Sequence, residues 1–415
     1  MDNNALLLLV GAKKIKQTIG VAGQQGFGVG VYGGDPADLT AMGLSPMQGC
    51  KNPASENYGN YTHTNGSVMV FIPAFCYRIG SASAPSYERD AENALEIRDA
   101  ELGEGDGWIL HRAFIDGGVQ KLGFFIDKYI CSKDKTGKLA VSVKNRDNII
   151  LNNDFEPDSS SMPDCTGELY DAITLSRARG EGFSLITGFQ WAALSMLSLA
   201  HGQAATSSRF CGWYDASHVK NYPKGNNNGL KDYDDPSVTW TAHSGYDCVG
   251  KTGSGTPFVK TTHNGQMCGV TDVNGSQQQV ALGLINPTTG NYRVFKDSVK
   301  AHDITRYNVM KISWYDFFSV STEDLSTYYW GANAFYSDAS GINRALCGLL
   351  PKVPQYSKHD LFGWDSFDTD SRSNSVLYVG GDYGDKDRAG LFHRDFFYWN
   401  YGYIHCGFRA SGYAS

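Results

Sequence analysis

Val379 to Ser415 reads VGGDYGDKDRAGLFHRDFFYWNYGYIHCGFRASGYAS, and this closing stretch decides how the rest of the chain is read. Between Gly390 and Gly407 it carries Phe392, Phe396, Phe397, Tyr398, Trp399, Tyr401 and Tyr403. His393, Asp395, Asn400 and His405 interrupt them. One reading is an aromatic strand pair packed inside the molecule, since large aromatics are mostly buried. The other is a recognition surface, because Tyr and Trp give stiff, amphipathic contact area at small entropic cost. Too many charged and hydroxylated groups break the run for all of it to be core, and their clustering at one end favours the surface.

Outward from that segment, the bulk numbers set bounds. A chain of 415 residues holds one large domain with insertions, or two to three smaller ones. A formal charge of −7 gives no basic footprint for phosphate, which argues against nucleic acid as a partner. Hydrophobic residues at 41%, charged ones at 19%, 48 Gly and 24 Tyr describe a loop-rich globular protein, not a disordered chain or a coiled coil. The apolar run Ala5 to Val10 is too short to span a bilayer and follows Asp2 in place of a basic region. Neither a signal peptide nor a membrane anchor is expected. The nine cysteines (Cys50, Cys76, Cys131, Cys165, Cys211, Cys248, Cys268, Cys347, Cys406) are scattered without a CxxC, the pattern of reduced structural thiols made in a cytoplasm. The sequons at Asn65 and Asn274 mean little without a secretory route.

Along the chain, residues 1–66 are Gly-rich and read as a small attachment module, with 67–415 as the main domain. Ser67 to Ile79 and Lys121 to Ser132 read as strands, as do Val280 to Ile285 and Asn291 to Phe295. Lys311 to Val320 and Thr327 to Phe335 are aromatic-rich and of open type. Thr187 and Gln190 fit a capping box, followed by Phe189, Ala192, Ala193, Met196, Leu197 and Ala200 at helical spacing. His201-Gly202 is placed at that helix's end. Asp171 to Arg179 reads as a weaker helix, and 201–263 as an irregular insertion lying on the surface.

Three patterns imitate chemistry. Gly245 to Thr252 (GYDCVGKT) matches the phosphate-loop spacing, but lacks a buried strand before it and a helix after it. Asp365, Asp368 and Asp370 form an acidic cluster without an EF-hand loop, best read as a solvated turn. His405 beside Cys406 is adjacency in sequence, which implies no catalytic geometry. No metal site and no cofactor are expected.

Several landmarks in order resemble a family. Met69 to Phe75 (MVFIPAF) resembles the opening strand of formylglycine-generating-enzyme-like domains, a branch of the C-type lectin fold, and Phe125 to Tyr129 (FIDKY) resembles their second strand. Phe183 to Trp191 (FSLITGFQW) is similar to their R-L-P-T-x-x-E-W helix start, with Gln190 in place of the acid. Gly269 to Ser276 (GVTDVNGS) resembles their G-L-x-D-M-x-G-N turn. Gly380 to Tyr383 and Cys406 to Arg409 resemble their R-G-G-S-W and G-F-R ending. The catalytic cysteine pair of the oxidases is missing, since Cys406 stands alone and the next cysteine upstream is Cys347. The ending is closer to the variable region of diversity-generating retroelement proteins, especially phage tail tropism determinants, and Asn57 to Tyr61 before Gly66 resembles prophage proteins of that kind.

The resemblance implies an α+β, C-type-lectin-like ligand-binding domain whose residues 376–410 are a variable binding region. It assigns Gly380, Gly381, Ala389, Gly390, Gly407, Phe408 and Arg409 to a fixed frame. Tyr383, Asp385, Asp387, His393, Asp395, Phe397, Tyr398, Asn400, Tyr401, Tyr403 and His405 are assigned to the ligand. Their codons can all end in C or T, as adenine-directed mutagenesis of AAC and AAT requires, whereas those of Lys386 and Trp399 do not. The implied role is receptor binding at a phage or prophage tail tip in a virion assembled in the host cytoplasm. The implied partners are a host cell-surface receptor, protein or glycan, and tail proteins through the N-terminal module, with a homotrimer expected by analogy. Two alternatives stay open: an oxidase or other enzyme on the same fold, and a structural tail protein that binds no receptor.

Overall fold

The computed structural model describes residues 17–151, 168–319, 327–369, 373–398 and 404–414. The organising element is the helix Gly188–Ala204, which starts as its sequence dictates. Thr187 Oγ1 accepts from Gln190 N at 3.1 Å while Gln190 Oε1 accepts from Thr187 N at 2.9 Å. All of its residues except Ala204 are buried, so it is a core rod with no wet face. Most of its polar members find partners inside: Ser195 Oγ donates to Leu391 O at 2.7 Å and His201 meets Phe210 O at 2.7 Å. The helix runs past the expected stop. Gly202 lies within it because the main chain of Asn221 presses close, and a Cβ there would sit 2.5 Å from Asn221 O. The weaker helix forms over Glu168–Arg177.

Three principal sheets surround that rod. The first runs in the order Leu44–Pro46, Asn60–His63, Val68–Pro73, Gly123–Asp127, Ala410–Ala414, Phe183–Leu185, with every neighbour antiparallel. The chain's closing strand therefore sits between early ones, which locks the fold end to end. The second is eight-stranded, built around the fully buried strand Gln278–Asn286. That strand pairs with Arg293–Phe295, Ser375–Val379 and, in parallel, Cys406–Gly407. Arg394–Tyr398 joins beyond Ser375–Val379. A three-stranded sheet, Leu95–Asp99, Phe75–Ile79 and Ile109–Leu110, completes the set. The architecture is mixed α+β, mostly sheet, with one long buried helix.

Two organisational expectations need correction. Residues 17–66 do not form a module of their own: Asn60 and Tyr61 pair with Val70 and Met69, and Ile19, Phe27 and Val29 are buried in the main core. A strand ladder crossing residue 66 leaves no place for a domain boundary there. The 201–263 insertion is irregular, as expected, with only isolated bridges, but it lies on the surface only in part: residues 206–209, 215–217 and 233–234 are exposed. Cys211, Trp213, Val238, Trp240, Val249 and His263 are buried, because this region covers the end of the long helix and the flank of the second sheet.

Candidate functional site

The C-terminal segment builds its frame first. Ser375–Val379 and Arg394–Tyr398 pair antiparallel, from Ser375 opposite Tyr398 to Val379 opposite Arg394. Gly380 and Gly381 follow with φ of +92° and +70°, the left-handed region that favours glycine. A Cβ on Gly381 would come within 2.6 Å of Ala389, and one on Gly390 within 2.2 Å of the Asp365 carboxylate. Gly407 is equally tight, 2.6 Å from Gln277 Oε1 and Ile130 Cδ1. Phe408 and Arg409 are fully buried. The Arg409 guanidinium donates to Gln279 Oε1 at 2.7 Å, Asp127 O at 3.0 Å and Asp272 O at 2.7 Å, so it ties the two sheets and the 271–272 turn together. All seven residues assigned to the frame are buried.

On this frame the side chains divide by strand alternation. Arg394 and Phe396 point into the core, while Asp395 and Phe397 are half-buried on the other face. Phe397 packs edge-on against Tyr378 at 6.3 Å, and Tyr398 is half-buried at the strand end. In the loop after Gly381, the Tyr383 ring stacks on His405 at 4.8 Å. His405 Nδ1 lies 2.6 Å from the Asp382 carboxylate, which also accepts from Gly384 N at 2.6 Å. Partial burial pushes the Asp382 carboxyl up, but its hydrogen bond and charge interaction with His405 hold it below its ordinary range. Asp385 accepts from Asp382 N at 2.9 Å and pairs with Arg388 at 3.1 Å. Asp387 is half-buried, and Lys386 is exposed with φ +54°. Asn400, Tyr401 and Tyr403, with Trp399, lie outside the described residues.

One residue assigned to the ligand belongs to the frame. His393 is 3% exposed, with Nδ1 against Ser366 Oγ at 3.0 Å and Arg388 O at 3.1 Å. Its N–H closes a turn on Gly390 O at 3.0 Å, which turns the ring inward. The neighbouring Arg394, charged and flanked by His393 and Asp395, carries no sequence signal of burial, yet it is fully buried. It donates to Leu349 O, Gly348 O, Leu391 O and His393 O, and burial lowers its pKa to about 9.

The imitations of chemistry resolve physically. Asp365 does not sit in a solvated turn: it is buried, accepts from Phe392 N at 2.9 Å, and burial holds its carboxyl well above the usual range. Asp370 lies outside the described residues. Gly245 to Thr252 forms turns and a bridge from Ala242 to Gly250, followed by more turns and a single 3₁₀ turn at Phe258–Lys260. Thr252 Oγ1 is spent on Val143 O, and Lys251 lies 3.6 Å from Asp147. Cys406 is buried, with Sγ 3.7 Å from Gln278 Nε2. Burial raises the Cys347 thiol to about 12 and Cys76 to about 11, which suppresses thiolate chemistry. Among the described residues every cysteine is a free thiol, no group of three or more His, Cys, Asp or Glu could hold a metal ion, and no helix is long and apolar enough to cross a membrane.

No protein-family model and no curated protein matches the chain. Among solved structures it is similar to the Major Tropism Determinant U1 variant (TM-score 0.29, 9% identity, covering 84% of this chain and 63% of that one). The Major Tropism Determinant M1 variant gives a TM-score of 0.30 at 10% identity, covering 84% and 63%. PvdO from Pseudomonas aeruginosa gives 0.30 at 12% identity, covering 85% of this chain and 97% of that one. The chain thus spans about 63% of the length of the two tropism determinants. Likenesses of this size assign neither a fold family nor a role.

Proposed function

We propose that this chain is a receptor-binding protein, a tail-tip adhesin of phage or prophage type, whose C-terminal segment carries the binding surface on a lectin-like scaffold. One observation supports this above the others. In a single segment, seven buried residues (Gly380, Gly381, Ala389, Gly390, Gly407, Phe408, Arg409) fix the backbone, while Tyr383, Asp385, Asp387, Asp395, Phe397, Tyr398 and His405 remain at least partly accessible. Side chains on such a frame can change without changing the fold, which a recognition surface needs and an active site does not. The mixture of Tyr, Asp and His suits amphipathic contact with a macromolecular partner. The buried, raised thiols favour binding over oxidase chemistry.

The test is adsorption of the purified protein to a panel of bacterial cells. Replacing Tyr383, Asp395 and Tyr398 together by Ala should abolish adsorption and leave the melting curve in place. Unchanged adsorption by the triple variant moves the receptor site elsewhere, and turnover of a cysteine-containing peptide by the unaltered protein restores the enzyme reading.

A further inference from the structure

The insertion does more than cover the core. Its turn at 226–230 lies directly against the loop that follows Gly381, and both contacts between them are main chain to main chain. Gly229 N donates to Tyr383 O at 3.1 Å, and Lys386 N donates to Asn227 O at 2.7 Å. Behind them Gly275 N donates to Gly380 O at 2.8 Å, and Ser276 N donates to Asn226 O at 2.6 Å. Three irregular strips, 226–230, 274–276 and 380–386, are thus laminated through their backbones. Close approach requires glycine in that stack: a Cβ on Gly275 would stand 2.3 Å from Asn226 O. No side chain of residues 383–387 takes part in these bonds, so their replacement leaves the brace intact.

The same turn presents its own side chains beside the loop. Asn227 is buried and its Oδ1 accepts from Tyr233 N at 2.8 Å, which fixes where Tyr233 emerges. Tyr233 is 43% exposed, one of the few large aromatics left in solvent. Lys220 Nζ lies 5.9 Å from its ring centroid and 2.6 Å from the Asp234 carboxylate. Burial, and then the carboxylates of Asp365, Asp234, Asp232 and Asp387, hold the phenol of half-buried Tyr222 well above its ordinary range.

We propose that the insertion supplies the constant half of a composite protein-binding surface, with Tyr233 as its anchor, and that the 382–388 loop is the changeable half. This rests on the binding reading above and names its partner class. The candidate residues from His405 to Asp395 are separated by three strand steps, which at ~4.8 Å each is ~14 Å before the insertion is added. A surface of that width, mixed in charge and carrying a stiff aromatic, fits a folded protein epitope better than a single small ligand.

The test uses the full chain and the cells that adsorb it. Tyr233→Ala should weaken adsorption roughly tenfold or more, as the loss of a central aromatic does. Tyr307→Ala, at an aromatic that is also exposed but belongs to neither half, should not weaken it. Hydrogen exchange of residues 382–388 should be identical in Tyr233→Ala, Tyr383→Ala and the unaltered protein, and faster when Asn227 is replaced by Ala. Protease treatment of the cells should remove adsorption. Full adsorption by Tyr233→Ala alongside loss in Tyr383→Ala overturns the composite surface and leaves the binding reading standing. Full adsorption by both variants overturns the composite surface and moves the receptor site away from the 382–388 loop, whereas failure of the unaltered protein to adsorb to any cells overturns the binding reading itself. Adsorption that survives protease and is lost on periodate treatment overturns the protein partner in favour of a glycan.

Discussion

The C-terminal segment and the insertion look alike in composition, since both are rich in Gly, Tyr and Asp, yet opposite parts of the chain hold them in shape. The C-terminal segment is fixed by strand register and by buried frame residues, so its half-exposed polar side chains carry little of the structure. The insertion has no strand of its own among the described residues, and its polar side chains stand in for the missing ladders. Asp232 accepts from Gly225 N, Asp234 N and Asp235 N. Asn226 accepts from Leu230 N at 2.7 Å and donates to Cys248 O at 3.2 Å. Asn221 donates to Gly202 O at 2.9 Å. Polar residues in one region are free to vary because the main chain is held elsewhere; in the other they are what holds it.

The largest effect that could break this contrast is at Arg409. Replacing it by Ala strands the carbonyls of Asp127, Thr271 and Asp272 in the core and removes the tie between the two sheets and the 271–272 turn. A loss of ~3–5 kcal/mol is expected, as for breaking other buried charged networks, measured by denaturant unfolding. A silent Arg409→Ala would mean that the frame is not where the stability lies.

A second effect is confined to the insertion side. Burial lowers the His201 imidazole to about 4 and that of His263 to about 3. His201 Nδ1 accepts from Gly23 N at 3.0 Å, and His263 Nδ1 accepts from Val270 N at 2.9 Å. Protonation removes both acceptors. Because the folded values lie below the unfolded one, the contribution is full above pH ~6.5 and is lost as pH falls towards the folded values, at ~1.4 kcal/mol per pH unit for each proton taken up. Asp171, raised to about 7 by burial, works in the opposite sense, full below pH ~3.9 and lost as pH rises through 7. The discriminating measurement is therefore local: protection factors at Gly23 and Val270, corrected for the slower intrinsic exchange at lower pH, should fall between pH 7 and pH 5 while those of the 375–379 strand do not. Equal loosening of both would erase the distinction between the regions.

Much of the frame was legible in the sequence because close approach has a residue signature. Gly380, Gly381, Gly390 and Gly407 stand where a Cβ would collide, and the Thr187–Gln190 cap forms as its spacing requires. Burial of polar residues was not legible. His393, Arg394 and Asp365 carry groups that are ordinarily wet, and only the carbonyls and amides that meet them in the fold, distant in sequence, make burial tolerable. The insertion was misplaced for the same reason: its Asn and Asp residues read as loop chemistry, and that they replace strands is visible only once their partners are known. The module boundary failed because a Gly-rich segment says that the chain turns, not that it leaves the sheet.

A third substitution sharpens the claim that amides build the insertion. Asn226→Ala leaves Leu230 N and Cys248 O without their bonds, and the residue is fully buried. A cost of ~1–3 kcal/mol follows from unsatisfied buried groups. Tyr383→Ala, on the other side of the same brace, should stay within ~1 kcal/mol, since its stacking on His405 and the 3.4 Å bond from its hydroxyl to His405 Nε2 are both part-exposed. If the two costs came out reversed, the division between polar residues that build and polar residues that display would be wrong.

The smallest expected effect lies at Lys251, and its size separates buried from exposed polarity within the insertion itself. Lys251 completes the phosphate-loop spacing, but its ammonium lies 3.6 Å from Asp147 with both side chains part-exposed, at 27% and 38%. Exposed pairs of this kind contribute ~0–1 kcal/mol. Its main-chain N–H bonds Thr241 O at 2.8 Å, a contact that Ala keeps. Thr252, the motif's hydroxyl, is buried and already donates to Val143 O. A nucleotide would therefore find one lysine above a turn, with no helix N-terminus behind it. Lys251→Ala should shift unfolding by less than ~0.5 kcal/mol, like most surface substitutions, and leave titration calorimetry with Mg-ATP flat before and after. Saturable ATP binding that disappears in Lys251→Ala would give the insertion a chemistry of its own.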